Sequence, residues 1–237
     1  MFGIKTPVRR SSKDEAEKPF WISFSDLMTA LMVLFLVAMT VALLAITNEI
    51  SESQRLKTQR EEEIQKLMER MKQATQNFPG IIVNGHSVDF GDLARFDSNS
   101  HKLTPVQARL LRTFLPKVLE MSRDPLGQKW FKRVIVEGFA DKRGTYLHNL
   151  NLSMQRSERV LCALLAKPER DELPLSSDDR LLVRELFLVG GSSFNSMKSS
   201  LEESRRIELK LEFLDVGEPR QKSPKMPLDE DKYCPLD

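Results

Sequence analysis

The chain has 237 residues, 41% of them hydrophobic and 30% charged, and its 36 basic and 34 acidic side chains leave a net charge of +2. Near-balance excludes a dedicated nucleic-acid binder, which carries a basic excess on one face, and the apolar content excludes a wholly disordered chain. Two cysteines and three histidines, far apart in sequence, exclude zinc fingers and cysteine-rich scaffolds.

In chain order, the first element is a membrane-span candidate. Leu27 to Ile46 is a run of 20 residues interrupted only by Thr29 and Thr40. As a helix it measures about 30 Å, the thickness of a bilayer's hydrocarbon core, and threonine hydroxyls are tolerated there by bonding carbonyls of the preceding turn. Trp21 suits an interfacial belt. Lys5, Arg9, Arg10, Lys13 and Lys18 precede the run, and the first charges after it are Glu49 and Glu52. The positive-inside rule therefore puts the N-terminus in the cytoplasm and the bulk of the chain outside. The run is too long for a cleaved signal peptide and lacks a clean cleavage site, so a retained anchor is expected. Asp26 stands directly before it. One reading is an acid at a helix N-terminus, favoured by the helix dipole and capped by Ser23 or Ser25. The other is an intramembrane carboxyl that takes up and releases a proton, because an acid in a span is costly and needs a reason. The residue types alone weigh the two evenly.

The stretch Pro19-Phe20-Trp21-Ile22-Ser23-Phe24-Ser25-Asp26-Leu27-Met28-Thr29 resembles the start of the transmembrane helix in MotB-type stator subunits, which read proline, tryptophan, then an acid followed by Leu-Met-Thr. In that family the acid carries the proton that drives a rotary motor. The resemblance implies that role for Asp26.

From Phe20 to Phe78 there is no glycine or proline, and residues 47–77 are rich in good helix formers, so the helix is expected to continue past the membrane. Ile50, Ile64, Leu67, Met68 and Met71 form a partial apolar stripe. A solvated spacer, a parallel dimer stem and a plug that closes an idle motor, the last implied by the stator family, all stay open. Pro79-Gly80 ends the stem.

Residues 81 to about 216 read as an α/β domain in the order β-α-β-α-β-β. Ile81-Ile82-Val83 and Val88-Asp89-Phe90 are short strands, the second running on toward Arg95-Phe96. Thr104-Pro105-Val106-Gln107 is a capped helix start. Val106, Leu110, Phe114 and Val118 form its expected buried face, and Pro116 should kink or break it. Val134-Ile135-Val136 is a central strand. Leu147 to Ala166 is a second helix stopped by Pro168, and Leu186 to Val189 is a third strand. Ser176-Ser177-Asp178-Asp179 starts an extra helix, and a further helix around Ser196 to Ser204 is doubtful. Ile207 to Phe213 alternates apolar and charged residues, a strand with one wet face. Residues 217–237, with Pro219, Pro224 and Pro227, are expected to form an extended tail. The organisation expected is a cytoplasmic segment (1–19), a transmembrane helix (20–46), a helical stem (47–78), the folded domain (79–216) and the tail (217–237).

Val136-Glu137-Gly138-Phe139-Ala140-Asp141, then Gly144, Asn149 and Leu152-Ser153-Met154-Gln155-Arg156-Ser157, resembles the OmpA-like peptidoglycan-binding family. Its pattern is a strand ending in Gly-His-Thr-Asp, then Gly, Asn and Leu-Ser-x-x-Arg-Ala. Ser204-Arg205-Arg206-Ile207-Glu208 is similar to that family's last block. The resemblance implies a single N-terminal transmembrane helix plus an α/β (α+β sandwich) OmpA-like domain. It also implies a ligand, the diaminopimelate of the cell-wall stem peptide, with Asp141 meeting its ammonium, Arg156 offering a fork to its carboxylate, and Asn149 in the same site. On residue types alone, Asp141 and Arg156 also read as a structural loop-to-helix salt bridge. The chain departs from the pattern at Phe139-Ala140, where two polar side chains near the pocket are expected to be lost, at Ser157, at Ser204 and in an insertion from Lys167 to Arg184.

His86, His101 and His148 read as surface or core histidines, although His148 occupies the place before Asn149 where the family has an aromatic. No phosphate loop, metal motif, nucleophile elbow, cofactor site or enzyme activity is expected. Under the topology above, Cys162 and Cys234 lie in an oxidising compartment and can form a disulfide pinning the tail to the second helix. The Phe-Trp-Ile-Ser-Phe-Ser-Asp stretch, the compact length, Phe139-Ala140 and the insertion after Lys167 look more like the MotB-like subunits of Zorya anti-phage systems than flagellar ones. That resemblance implies a homodimer in the inner membrane, with a periplasmic C-terminal domain, inside a pentamer of a MotA-like partner (ZorA). A flagellar stator subunit and a passive membrane-to-wall anchor are the alternatives.

Overall fold

The computed structural model describes residues 13–168, 172–220, 234 and 236, with side chains from residue 21 onward. The basic residues Lys5, Arg9 and Arg10 and most of the proline-rich tail lie outside the described residues. The chain divides into two compact units, one reaching to Leu56 and one starting at Lys57.

The first unit consists of the greater part of helix α1 (Lys13–Thr75). Its 18-residue apolar window has a mean hydropathy of 2.7 and no buried residue, and it is the one helix among the described residues long and apolar enough to cross a membrane. The threonine hydroxyls turn back onto the helix. Thr29 Oγ1 donates to the Ser25 carbonyl at 2.6 Å and Thr40 Oγ1 to that of Val37 at 2.8 Å, which removes two polar groups from an apolar surface.

The second unit opens with the last turns of α1. Ile64, Leu67, Met68 and Met71 are buried in its core. Arg60 Nε donates to the Leu214 carbonyl at 2.7 Å, and Glu63 accepts from Lys129 Nζ at 2.6 Å and Trp130 Nε1 at 2.5 Å. The apolar stripe of the stem, for which spacer, dimer stem and plug were open, thus belongs to the folded unit, which begins 22 residues before the expected boundary at 79.

A five-stranded sheet follows, in the order β1-β2-β5-β3-β4, with β1 Ile82–Asn84, β2 Ser87–Asp89, β3 Phe131–Gly138, β4 Phe187–Gly191 and β5 Ile207–Phe213. All pairs are antiparallel except β3 with β4, where Val134 faces Phe187. That parallel pair is joined by a helical crossover, as it requires, through helix α4 (Tyr146–Leu165) and a second helix over Ser177–Leu186. Phe131, Val134 and Val136 of β3 are buried on one face, while Arg133 and Glu137 of the other face pair with Glu212 and Lys210 of β5. The wet face is partly closed, because Glu208 is itself buried against Arg206 at 2.6 Å.

Helix α2 (Pro105–Arg123) has the expected capping box, with Thr104 Oγ1 accepting from the Gln107 N–H at 3.2 Å and Gln107 Oε1 from the Thr104 N–H at 2.9 Å. Of the expected face, Phe114 and Val118 are buried and Leu110 is half-buried, but the buried face is wider and leaves out Val106. Leu111, Phe114, Leu115, Val118 and Leu119 are inside, and Val106 is 78% exposed. Pro116 does not break α2; one lost backbone bond is outweighed by burial of Leu115 and Leu119 on either side. The strand expected to run toward Phe96 stops at Asp89. There Gly91 takes φ +53°, Asp89 Oδ1 accepts its N–H at 2.9 Å, and a 3-10 turn covers Gly91–Ala94. Helix α3 (Pro125–Trp130), capped by Asp124, was not anticipated. Helix α5 (Ser177–Leu186) starts at the expected Ser176 cap, and α6 (Leu201–Ser204) is a single turn. Cys162 of α4 is bonded to Cys234, Cα to Cα 5.5 Å, and Arg159 Nη2 donates to the Leu236 carbonyl at 2.6 Å.

Candidate functional site: a charged pocket at the end of β3

Strand β3 ends at Gly138, and α4 lies directly on its backbone there. A Cβ at Gly138 would stand 2.0 Å from the Ser153 carbonyl oxygen, and one at Gly191 would stand 2.6 Å from Ser153 Oγ. Ser157 Oγ donates to the Gly190 carbonyl at 2.6 Å. This close approach sets the loop after β3 against the start of α4, whose Thr145 cap accepts from the His148 N–H.

Between them is a pocket of about 260 Å³. It is lined by all three residues singled out in the domain, Asp141, Asn149 and Arg156, together with Arg143, His148 and Arg205. Among the described residues Asp141 and Arg156 do not pair with each other. Arg156 is fully buried, and three of its N–H groups go to backbone carbonyls: Nε to Ser100 at 2.9 Å, Nη1 to Phe139 at 2.6 Å and Nη2 to Asp97 at 3.1 Å. Two of its five donors stay available. Burial lowers the Arg156 guanidinium to about 10, with the charge of Arg205 adding to the effect.

Asp141 pairs instead with Arg143 and Arg205. Arg205 Nη1 donates to Oδ2 at 3.0 Å and Arg143 Nη2 to the same oxygen at 2.8 Å. Burial pushes the carboxyl up, but hydrogen bonds from the Arg143 side chain and backbone and from Arg205 prevail and hold it at about 2. Asn149 Nδ2 donates to the Arg143 carbonyl at 2.9 Å and so fixes the loop. One carboxylate and three guanidinium groups thus line the same pocket, chemistry that can meet an anionic group and a cationic one side by side.

Phe139 and Ala140 are both buried and do not line the pocket, so their divergence removes nothing from its wall; Phe139 serves as a face for Arg206, 4.0 Å away. His148 is a surface residue, as expected, and its Nε2 lies 2.8 Å from Asn99 Oδ1 at the pocket rim. Arg205 was missed as a site residue although its Arg-Arg block was recognised. Arg143 and Asn99 carried no sequence signal.

Asp26 lies in the other unit. It is exposed and 13 residues inside α1, beyond the reach of the N-terminal dipole. The helix-terminus reading of this acid therefore loses its physical basis.

No family model matches the chain. It is 43% identical, over 94% of its own length and 92% of the relative's, to Zorya protein ZorB of Escherichia coli O139:H28 (strain E24377A / ETEC). Among solved structures it is similar to the cell wall anchor of the T6SS from Pseudomonas aeruginosa (19% identity, TM-score 0.39, covering 60% of this chain and 94% of that one). It is also similar to a putative MotB like protein from Desulfovibrio vulgaris (16%, 0.41, 68% and 98%) and to the OmpA-like domain of FopA1 from Francisella tularensis subsp. tularensis SCHU S4 (18%, 0.35, 57% and 82%).

Proposed function

The chain belongs to the ZorB family, and on that premise we propose that it is the wall-anchored subunit of an ion-driven rotary motor in the inner membrane, working in anti-phage defence. Its N-terminus is cytoplasmic and its folded unit periplasmic. Two copies sit inside a pentamer of the MotA-like partner ZorA. Asp26 takes up a proton from one side and releases it to the other. The folded unit holds peptidoglycan by the diaminopimelate end of a stem peptide, with Asp141, Asn149 and Arg156 in the binding pocket. The chain transfers force and ions and makes or breaks no covalent bond.

The observation that carries this reading is the place of Asp26. It directly precedes a 20-residue run, apolar but for Thr29 and Thr40 and exposed all round, and it stands inside the helix with no ion-pair partner among the described residues. A fixed tether needs the apolar run and the pocket but has no use for an unpaired acid at that point. Proton flow would draw on about 2.3 kcal/mol per charge per 100 mV.

Asp26→Asn keeps size and hydrogen bonding but cannot lose a proton. Phage protection in cells carrying the partner genes is expected to vanish with Asp26→Asn and to survive in part with Asp26→Glu. Full protection by the Asn variant rejects the proton-carrier role and leaves the passive anchor.

A further inference from the structure

The Asp141 carboxylate carries two guanidinium groups of unlike standing. Arg205 is fixed: its side chain is 11% exposed, Nη1 holds Asp141 at 3.0 Å, and Nε donates to the Phe96 carbonyl at 2.9 Å. Arg143 reaches both carboxylate oxygens, Nε at 3.3 and 3.2 Å and Nη2 at 2.8 Å, yet its side chain is 53% exposed. Its backbone is anchored independently of that side chain. The Arg143 N–H donates to Asp141 Oδ1 at 2.9 Å, and its carbonyl accepts from Asn149. The side chain can therefore leave while the loop stays. Asp141 itself is 7% exposed at the side chain, so the Arg143 guanidinium stands between this acid and solvent.

We propose that Arg143 is an internal stand-in for the ligand's cation, holding on the Asp141 carboxylate the position that a ligand ammonium takes and yielding it on binding. The inference rests on the wall-binding reading of the pocket and adds a specificity device to it. Because the Arg143 guanidinium is itself half in solvent, it can leave the carboxylate for water without being stranded in the interior. Because Arg205 keeps Asp141 charged and oriented, a cation arriving in place of Arg143 finds a carboxylate already aimed. A ligand without a free ammonium gains nothing from displacing Arg143, so the pocket favours a stem peptide whose diaminopimelate amine is free.

The test uses the full chain in detergent and calorimetric titration with two probes, an L-Ala-γ-D-Glu-meso-diaminopimelate tripeptide and the same peptide acetylated on the side-chain amine. Arg143→Ala and Arg143→Gln are expected to bind the free-amine probe about two- to five-fold tighter than wild type, the worth of an exposed ion pair, and to show no such gain with the acetylated one. Equal or weaker binding of the free-amine probe by both variants overturns the stand-in role; weaker binding of both probes makes Arg143 a direct carboxylate contact instead. If the wild type and Asp141→Ala bind neither probe, the wall-binding reading falls, and the stand-in role with it.

Discussion

Arg156 is both a pocket residue and a structural one, and the second role decides how it can be tested. With three backbone carbonyls dependent on its fork, that of the buried Phe139 among them, Arg156→Ala leaves acceptors without donors. It is expected to cost about 3–5 kcal/mol in urea unfolding, so lost wall binding in that variant would not isolate a ligand contact. Asp141 and Glu63 set the acid response. Hydrogen bonds from Lys129, then Trp130 and Gln59, lower Glu63 from 4.5 to about 2, and Asp141 lies at about 2 against an ordinary 3.8. Folded values below unfolded ones mean stability that is whole above pH 4.5 and lost as pH falls toward 2. A urea series across that window should show a steep decline, and Glu63→Gln with Asp141→Asn should flatten it. Asp141, Asn149 and Arg156 were legible in the sequence because one strand-loop-helix segment carries them at fixed spacing. Arg205 stands 64 residues from Asp141 and reaches it only through the pairing of β5 with β3, a contact that no local spacing encodes.

At the scale of elements, the last turns of α1 and the seat of α4 matter most. Leu67 is fully buried, and Leu67→Ala is expected to destabilise the folded unit by about 2–5 kcal/mol in thermal or chemical unfolding. A free spacer helix would register almost nothing. Gly138→Ala places a methyl group where the Ser153 carbonyl already stands. It should push α4 off the sheet, lower the melting temperature and weaken peptidoglycan pull-down together, since α4 carries Asn149 and Arg156. Signals set within a few residues were readable in the sequence: the capping boxes at Thr104 and Ser176, and the β-branched run of β3. What covers an apolar stripe was not. The stripe at Ile64 to Met71 has the same helical spacing whether its cover is a second copy, solvent or this chain's own core. On α2, the spacing of Val106, Leu110, Phe114 and Val118 found half of the buried face, Phe114 and Val118, but not that Leu111, Leu115 and Leu119 join it while Val106 stays outside.

At the scale of the molecule, the average composition conceals parts suited to different surroundings. Asp26 lies in one compact unit and the core and pocket in the other, so their energetics should be separable. Asp26→Asn is expected to leave the unfolding midpoint of the folded unit unchanged while abolishing protection. Reduction should do the opposite. The Cys162–Cys234 bond closes a loop of 72 residues, and opening it is expected to cost at most about 4.5 kcal/mol on a chain-entropy account. The bond also has a meaning outside energetics. Thiols stay reduced in the bacterial cytosol and pair beyond the inner membrane. Each molecule would therefore keep a chemical record of its own export: a chain held back in the cytosol keeps two alkylatable thiols, and an exported one keeps none. The ratio of the two on a non-reducing gel then counts, molecule by molecule, how many folded units have reached the side of the membrane where the wall is.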